Sequence, residues 1–233
     1  MLDLVCVGDI MLDVHLPAAP SPDRTHGAIR TVVGGSAVNA ALAAARLGAR
    51  VCVAGAVGDD PAGRVVAEAL HEAGVESQLV TVAAPTGTCV YGVDGVVADR
   101  GANAVFDAET LPAARATLVS GYLGERVPLV VSRAHGLVAV DTQGRAVDTR
   151  GAGVVLGPRI DLHAYDGAIV CSTLGADGAA ARGIHVRPDR VLPEPQVGAG
   201  DRFAAAFLLA LADGASLKSA LRDGCSAAPL GAH

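Results

Sequence analysis

Residues 36–54 read Ser36-Ala37-Val38-Asn39-Ala40-Ala41-Leu42-Ala43-Ala44-Ala45-Arg46-Leu47-Gly48-Ala49-Arg50-Val51-Cys52-Val53-Ala54. Alanine, the best helix former, dominates as far as Leu47, and Gly48 closes the run. Val51–Ala54 is then a short apolar run of the kind that forms a buried strand. A second helix is predicted over Pro61–Ala73, with Pro61 in its first turn and Gly74 just past its end. Outward from this unit, Leu4–Val7, Leu137–Val140 and Gly167–Thr173 read as strands, and Ala152–Leu156 as a weaker one. Asp201–Leu211 and Leu217–Asp223 read as helices divided by Asp213-Gly214. Apolar strands alternating with helices predict an α/β fold, a three-layer sandwich with a mostly parallel central sheet.

The 233 residues fit one domain, 1–233, with a substantial core. A composition 51% hydrophobic and 18% charged excludes intrinsic disorder, and a net charge of −6 argues against nucleic-acid or anionic-membrane partners. The most apolar run, Phe203–Ala212, is about half the roughly 20 residues a membrane helix needs. The N-terminus has no basic region and carries Asp3 and Asp9, unlike a secretory signal. Cys6, Cys52, Cys89, Cys171 and Cys225 are scattered without a CxxC pair, and read as reduced thiols of a cytoplasmic protein. Two stretches, His15–Val33 and Thr86–Val97, break the strand–helix rhythm. They predict a small β-lid from residues 14–33 and 86–98. Its apolar face invites a second copy, hence a homodimer through the lids.

Three glycine-rich turns could carry chemistry. Gly198-Ala199-Gly200-Asp201 opens a helix, so its N–H groups and the helix dipole would make an anion hole beside a carboxylate; alternatively Asp201 is only a helix cap. Gly34-Gly35-Ser36 leads into a helix bearing Asn39, whose amide could meet a ligand hydroxyl; alternatively Ser36 caps a plain turn. Asp13 follows the first strand, where open α/β sheets bind ligands, or is a solvated loop carboxylate. Gly58-Asp59-Asp60-Pro61 reads as a helix cap, and Arg100-Gly101-Ala102-Asn103 as a turn with Asn103 in reach of a ligand. No GxSxG elbow, histidine-based nucleophile system or GxGxxG after the first strand is present.

In this order the motifs resemble the ribokinase-like (PfkB) family of carbohydrate and nucleoside kinases. The resemblance rests on Val7–Asp13, Gly34–Ala41, Leu47–Ala49, Val57–Gly63, Thr86–Thr88, Arg100–Asn103, Thr173–Gly178 and Gly198–Phe203. It implies ATP-dependent phosphorylation of a sugar, or of a related polyol or nucleoside, with ATP and magnesium (Mg2+) as cofactors. Asp201 would be the catalytic base and Gly198, Ala199 and Gly200 the anion hole. Asp13, Gly34, Gly35, Asn39 and Asn103 would bind substrate; Thr173, Gly175, Gly178 and Cys225 would bind nucleotide.

The chain departs from the family around its Asn-x-x-Glu magnesium motif. Pro158 stands where Asn belongs, and Asp161 where Glu belongs, as the remaining acidic partner for the metal. Pro195-Gln196-Val197 replaces an Asp-Thr pair, and the last helix is cut short. These departures imply an alternative, a weak or inactive relative that binds sugar or nucleotide without turnover.

Overall fold

The computed structural model describes residues 1–16, 26–165, 167–191 and 197–229. In chain order the strands are β1 (Leu2–Val7), β2 (Met11–His15), β3 (Arg30–Gly34), β4 (Val51–Gly58), β5 (Glu76–Val82), β6 (Gly87–Gly92) and β7 (Gly95–Asp99). They continue with β8 (Ala114–Ser120), β9 (Leu137–Asp141), β10 (Val154–Pro158), β11 (Ile169–Thr173), β12 (Ala179–Ala181) and β13 (Ile184–Val186). The helices are α1 (Ser36–Arg46), α2 (Pro61–Glu72), α3 (Val127–Arg133), α4 (Ala199–Ala212) and α5 (Leu217–Ala227).

The large sheet has the order β13-β12-β11-β10-β9-β8-β1-β4-β5. It is parallel from β5 to β11, and β12 and β13 add an antiparallel edge. Side chains of β1 alternate between two cores: Leu4 and Cys6 enter one, Val5 and Val7 the other. That two-sided burial explains why the parallel strands read as continuous apolar runs. One face is covered by α1, α2, α4 and α5; the other by α3 and the irregular segment containing Ala102, Phe106 and Leu111.

Helix composition follows position. α1 buries Ala37, Ala40, Ala41 and Ala44, so its backbone lies close to α4 and β1. α4 is apolar nearly all round because it sits between α1 and α5. Phe207 and Leu208 are fully buried, and such side chains each contribute about 1.5–3 kcal/mol. The amphipathic α2 starts as its sequence predicts: Asp60 caps it by accepting from Gly63 N–H at 2.8 Å.

A second, four-stranded sheet, β3-β2-β6-β7, forms the lid. It begins at Met11, earlier than the predicted residue 14, and part of the predicted lid, 17–25, lies outside the described residues. Pairing β2 with both β3 and β6 stitches the two predicted lid segments together. Strands β5, β8, β12 and β13 and helix α3 are not predicted from the sequence. β5 is an edge strand with a largely exposed polar face, and β8 interrupts its apolar pattern with Arg115 and Thr117.

Candidate active site

The parallel strands end on one side of the large sheet, and polar residues gather there: Asp9 after β1, Ser120 on β8, Asp141 on β9 and Thr173 on β11. The chain moves from β1 to β4 and β5 on one side, then returns to β8 on the other. Such a reversal opens a crevice at the strand ends.

Asp201 sits in the first turn of α4 and is buried. It is not the helix cap: Gly198 holds that position with φ 74, and no side chain caps the helix. The Asp201 carboxylate instead accepts from Asn39 Nδ2 and from Gln143 Nε2, each at 3.0 Å. Burial pushes its pKa up to about 6, while Asn39, Gln143 and Arg202 hold it lower than burial alone would. Gly198 is favoured by its left-handed backbone, and an added Cβ would also crowd Asn39 Nδ2 at 3.1 Å. The first backbone hydrogen bond of α4 runs from Arg202 N–H to Gly198 O, 3.0 Å. The N–H groups of Ala199, Gly200 and Asp201 precede it and point out of the helix end. Arg202 is itself buried, and ties this turn to Val197 O at 2.9 Å and to Ala228 O at 3.1 Å.

Asp13 lies on the lid strand β2 and is also buried. Burial and the neighbouring Asp201 raise its pKa to about 6. Its Oδ1 is buried without a hydrogen-bond partner among the described residues. Gly34 pairs across from Met11, and a Cβ there would fall 2.1 Å from Asp13 Oδ2, so only glycine leaves room for this carboxylate. Gly35 precedes α1, and its carbonyl accepts from Asn39 N–H at 2.9 Å. Ser36 is the first residue of α1 rather than its cap; its hydroxyl donates to Ser120 Oγ at 2.7 Å. Along β2, Met11, Asp13 and His15 share one face, opposite Gly87, Cys89 and Tyr91 of β6. His15 and Tyr91 stack there, with centroids 4.8 Å apart.

Asn103 does not face the crevice. It is buried, accepts from Ile10 N–H at 2.8 Å, and donates to Ile10 O at 2.8 Å and Arg100 O at 3.0 Å. It fastens the segment after β7 to the link between β1 and β2. Asp60 is likewise structural, accepting from Thr86 N–H and Oγ1 at 2.7 Å each.

A cavity of about 610 Å³ opens beside Asp201. Thr173, Gly175, Gly178 and Cys225 line it, with Ala199, Gly200 and Phe203 of α4 and with Asp141 and Gln143 after β9. The sequence-derived nucleotide residues are therefore together, and two of the three anion-hole residues line the same space. Asp161 is elsewhere: it is exposed, does not line the cavity, and accepts from His163 N–H at 2.9 Å.

Sequence reading did not single out Asp141 and Gln143. Gln143 Nε2 donates to Asp141 Oδ2 at 3.0 Å as well as to Asp201, so one amide links two buried carboxylates. Burial and Asp201 raise the Asp141 pKa to about 7. The available signal was the one that picked out Asp13, a carboxylate at or beyond the C-terminal end of an apolar strand. No group of three or more His, Cys, Asp or Glu side chains that could hold a metal occurs among the described residues. Asp141 is the carboxylate lining the cavity, which fits magnesium held chiefly by phosphates and water with one protein ligand.

A family profile for pfkB family carbohydrate kinases matches residues 1–132 and 161–231. The ribokinase of Bacillus subtilis (strain 168) is 26% identical over 271 residues, covering 99% of this chain and 92% of that protein. The bifunctional protein HldE of Streptomyces coelicolor is 32% identical over 283 residues, covering 97% of this chain and 59% of that protein. The chain thus spans less than two thirds of that relative. Among solved structures, Thermotoga maritima ribokinase superposes with a TM-score of 0.83 at 20% identity, covering 100% of this chain and 95% of that one. Arabidopsis thaliana ribokinase complexed with ribose and ATP gives 0.78 at 22% identity, covering 98% and 92%. The likeness to these structures establishes the fold. No helix among the described residues is long and apolar enough to cross a membrane.

Proposed function

The chain belongs to the pfkB family of carbohydrate kinases, and from that premise we propose that it transfers a phosphoryl group from ATP to a hydroxyl of a sugar. The observation that carries this reading is the pair of buried carboxylates, Asp201 held by two amides and Asp13 with an open oxygen. A buried acceptor without a partner is costly unless a ligand supplies a donor. A sugar hydroxyl on Asp13 Oδ1 meets that need, and Asn39 stands close by through its contact with Asp201. The stacked His15 and Tyr91 offer a flat surface on the same side of the lid, suited to the apolar face of a sugar ring.

The chemistry needs positioning and charge stabilisation more than covalent help. Asp201, with a pKa near 6, is ionised at neutral pH and basic enough to take the hydroxyl proton. The alcohol oxygen bonds to the γ-phosphorus as the bond to ADP breaks, and the proton passes to Asp201. The N–H groups opening α4 face the transferring phosphoryl, and the cavity along Thr173, Gly175, Gly178 and Cys225 takes the nucleotide. Asp141 would hold magnesium, which supplies charge neutralisation at the phosphates when bound.

Support for a dimer comes from the outer lid face, where Val97 is 74% exposed opposite Val90. We place a second copy there. The kinase reading is tested by ATP-dependent phosphorylation across a panel of sugars, polyols and nucleosides, with product mass as readout and Asp201→Asn as control. Turnover lost in that variant supports the reading; a panel without any turnover overturns it.

A further inference from the structure

The nucleotide cavity has a charge pattern its sequence motifs do not suggest. Where an acidic metal motif was expected after β10, the chain reads Pro158-Arg159-Ile160, and Pro158 and Arg159 both line the cavity. Arg190 lines it from the segment after β13. Neither guanidinium has an ion-pair or hydrogen-bond partner among the described residues, a state shared by the exposed Arg182, Arg187 and Arg222; what sets Arg159 and Arg190 apart is that they line the cavity. Asp141 is the one carboxylate in the lining.

Arg159 has a second peculiarity. Its φ is 51, a left-handed conformation that glycine adopts freely and that L side chains resist. Its amide is used, donating to Thr173 O at 3.0 Å, so the turn joins the ends of β10 and β11. A glycine would serve that turn with less strain. Arg182 is left-handed too, at φ 45, and does not line the cavity, so what distinguishes Arg159 is its place in the lining. Arginine binds phosphate through paired, charge-assisted hydrogen bonds.

We propose that Arg159 and Arg190 form a two-arginine rim that binds the phosphates of the donor nucleotide directly, so that a nucleoside triphosphate binds nearly as well in its metal-free form. This rests on the reading of the cavity as the nucleotide site. The arginines supply the phosphates with countercharge for binding that does not depend on the magnesium Asp141 would hold for transfer.

The test is calorimetric titration of the whole chain with ATP and with AMP, each in excess EDTA and in excess magnesium. In EDTA, ATP binds at least about tenfold tighter than AMP, as one charge-assisted contact implies, and magnesium changes the ATP affinity by less than about threefold. Arg159→Ala and Arg190→Ala each weaken ATP about tenfold and leave AMP within about twofold. Arg159→Gly guards against misfolding: it relaxes the left-handed backbone, melts no lower than wild type, and shows the same loss of ATP affinity. ATP binding that requires magnesium, or variants that bind ATP like wild type, overturn the rim while leaving the nucleotide site standing. Failure of both ATP and AMP to bind in either medium overturns the nucleotide reading of the cavity, and the rim with it.

Discussion

Replacing Asp201 with asparagine separates its chemical role from its structural one. The carboxylate accepts two amide donors at 3.0 Å and caps no helix, so the variant keeps its shape but turns one acceptor into a donor facing a donor. Losing one such bond costs about 1.5–3 kcal/mol. Against this, the variant no longer buries an ionised group. Raising the pKa from its ordinary 3.8 to about 6 penalises the charged form by about 3 kcal/mol at neutral pH. The two effects nearly cancel above pH 7. They separate on acidification, because the folded wild type binds the Asp201 proton more tightly than the unfolded chain does. That group's stabilisation is complete below about pH 4 and is lost as pH rises through about 6. Wild type therefore gains about 2.5 kcal/mol over Asp201→Asn between neutral pH and pH 4, read from urea unfolding at each pH. Turnover at pH 8 falls by about 10²–10⁴-fold, the usual worth of a general base. A variant with wild-type turnover, or a stability difference flat with pH, refutes the reasoning.

Three further outcomes are expected. Gly34→Ala drives a methyl onto Asp13 Oδ2 and raises the sugar KM about tenfold to a hundredfold, with a smaller effect on kcat, in steady-state assays. Asn103→Ala leaves Ile10 N–H and Ile10 O unpaired and lowers unfolding free energy by about 2–5 kcal/mol in urea titration. Wild type sediments as a dimer at micromolar concentration, and Val97→Arg sediments as a monomer; a wild-type monomer removes the lid dimer.

Much of the crevice was legible because its residues follow glycine turns at strand ends. Asp13, Gly34, Gly35, Asn39 and Asp201 converge from four separate elements, and Thr173, Gly175, Gly178 and Cys225 share one cavity. The local alternatives failed for geometric reasons. Asp201 is too far into α4 to cap it, and Ser36 spends its hydroxyl on Ser120. Other elements were hidden because their reasons are tertiary. β8 is a central strand although it carries Arg115, which reaches past the sheet to Asp213 at 2.6 Å and to Ala212 O at 2.9 Å. Asn103 looked like a ligand residue because an exposed turn and a buried staple share one composition. Asp161 matched a spacing, but the left-handed turn at Arg159 brings the arginine rather than the acid to the cavity. Gln143 had no sequence signal, since its importance lies in standing between two carboxylates distant in the chain.

The account stands most directly on sugar-dependent phosphoryl transfer by the wild-type chain. Incubated with ATP, magnesium and a broad panel of sugars at pH 8, it is expected to convert at least one sugar to a monophosphate, with equimolar ADP, seen by mass spectrometry and phosphorus NMR. The rate should fall on acidification between about pH 7 and 6, as the coupled carboxylates Asp141, Asp13 and Asp201 take up protons. Absence of any phosphorylated product across the panel, with the chain folded and ATP bound, contradicts it.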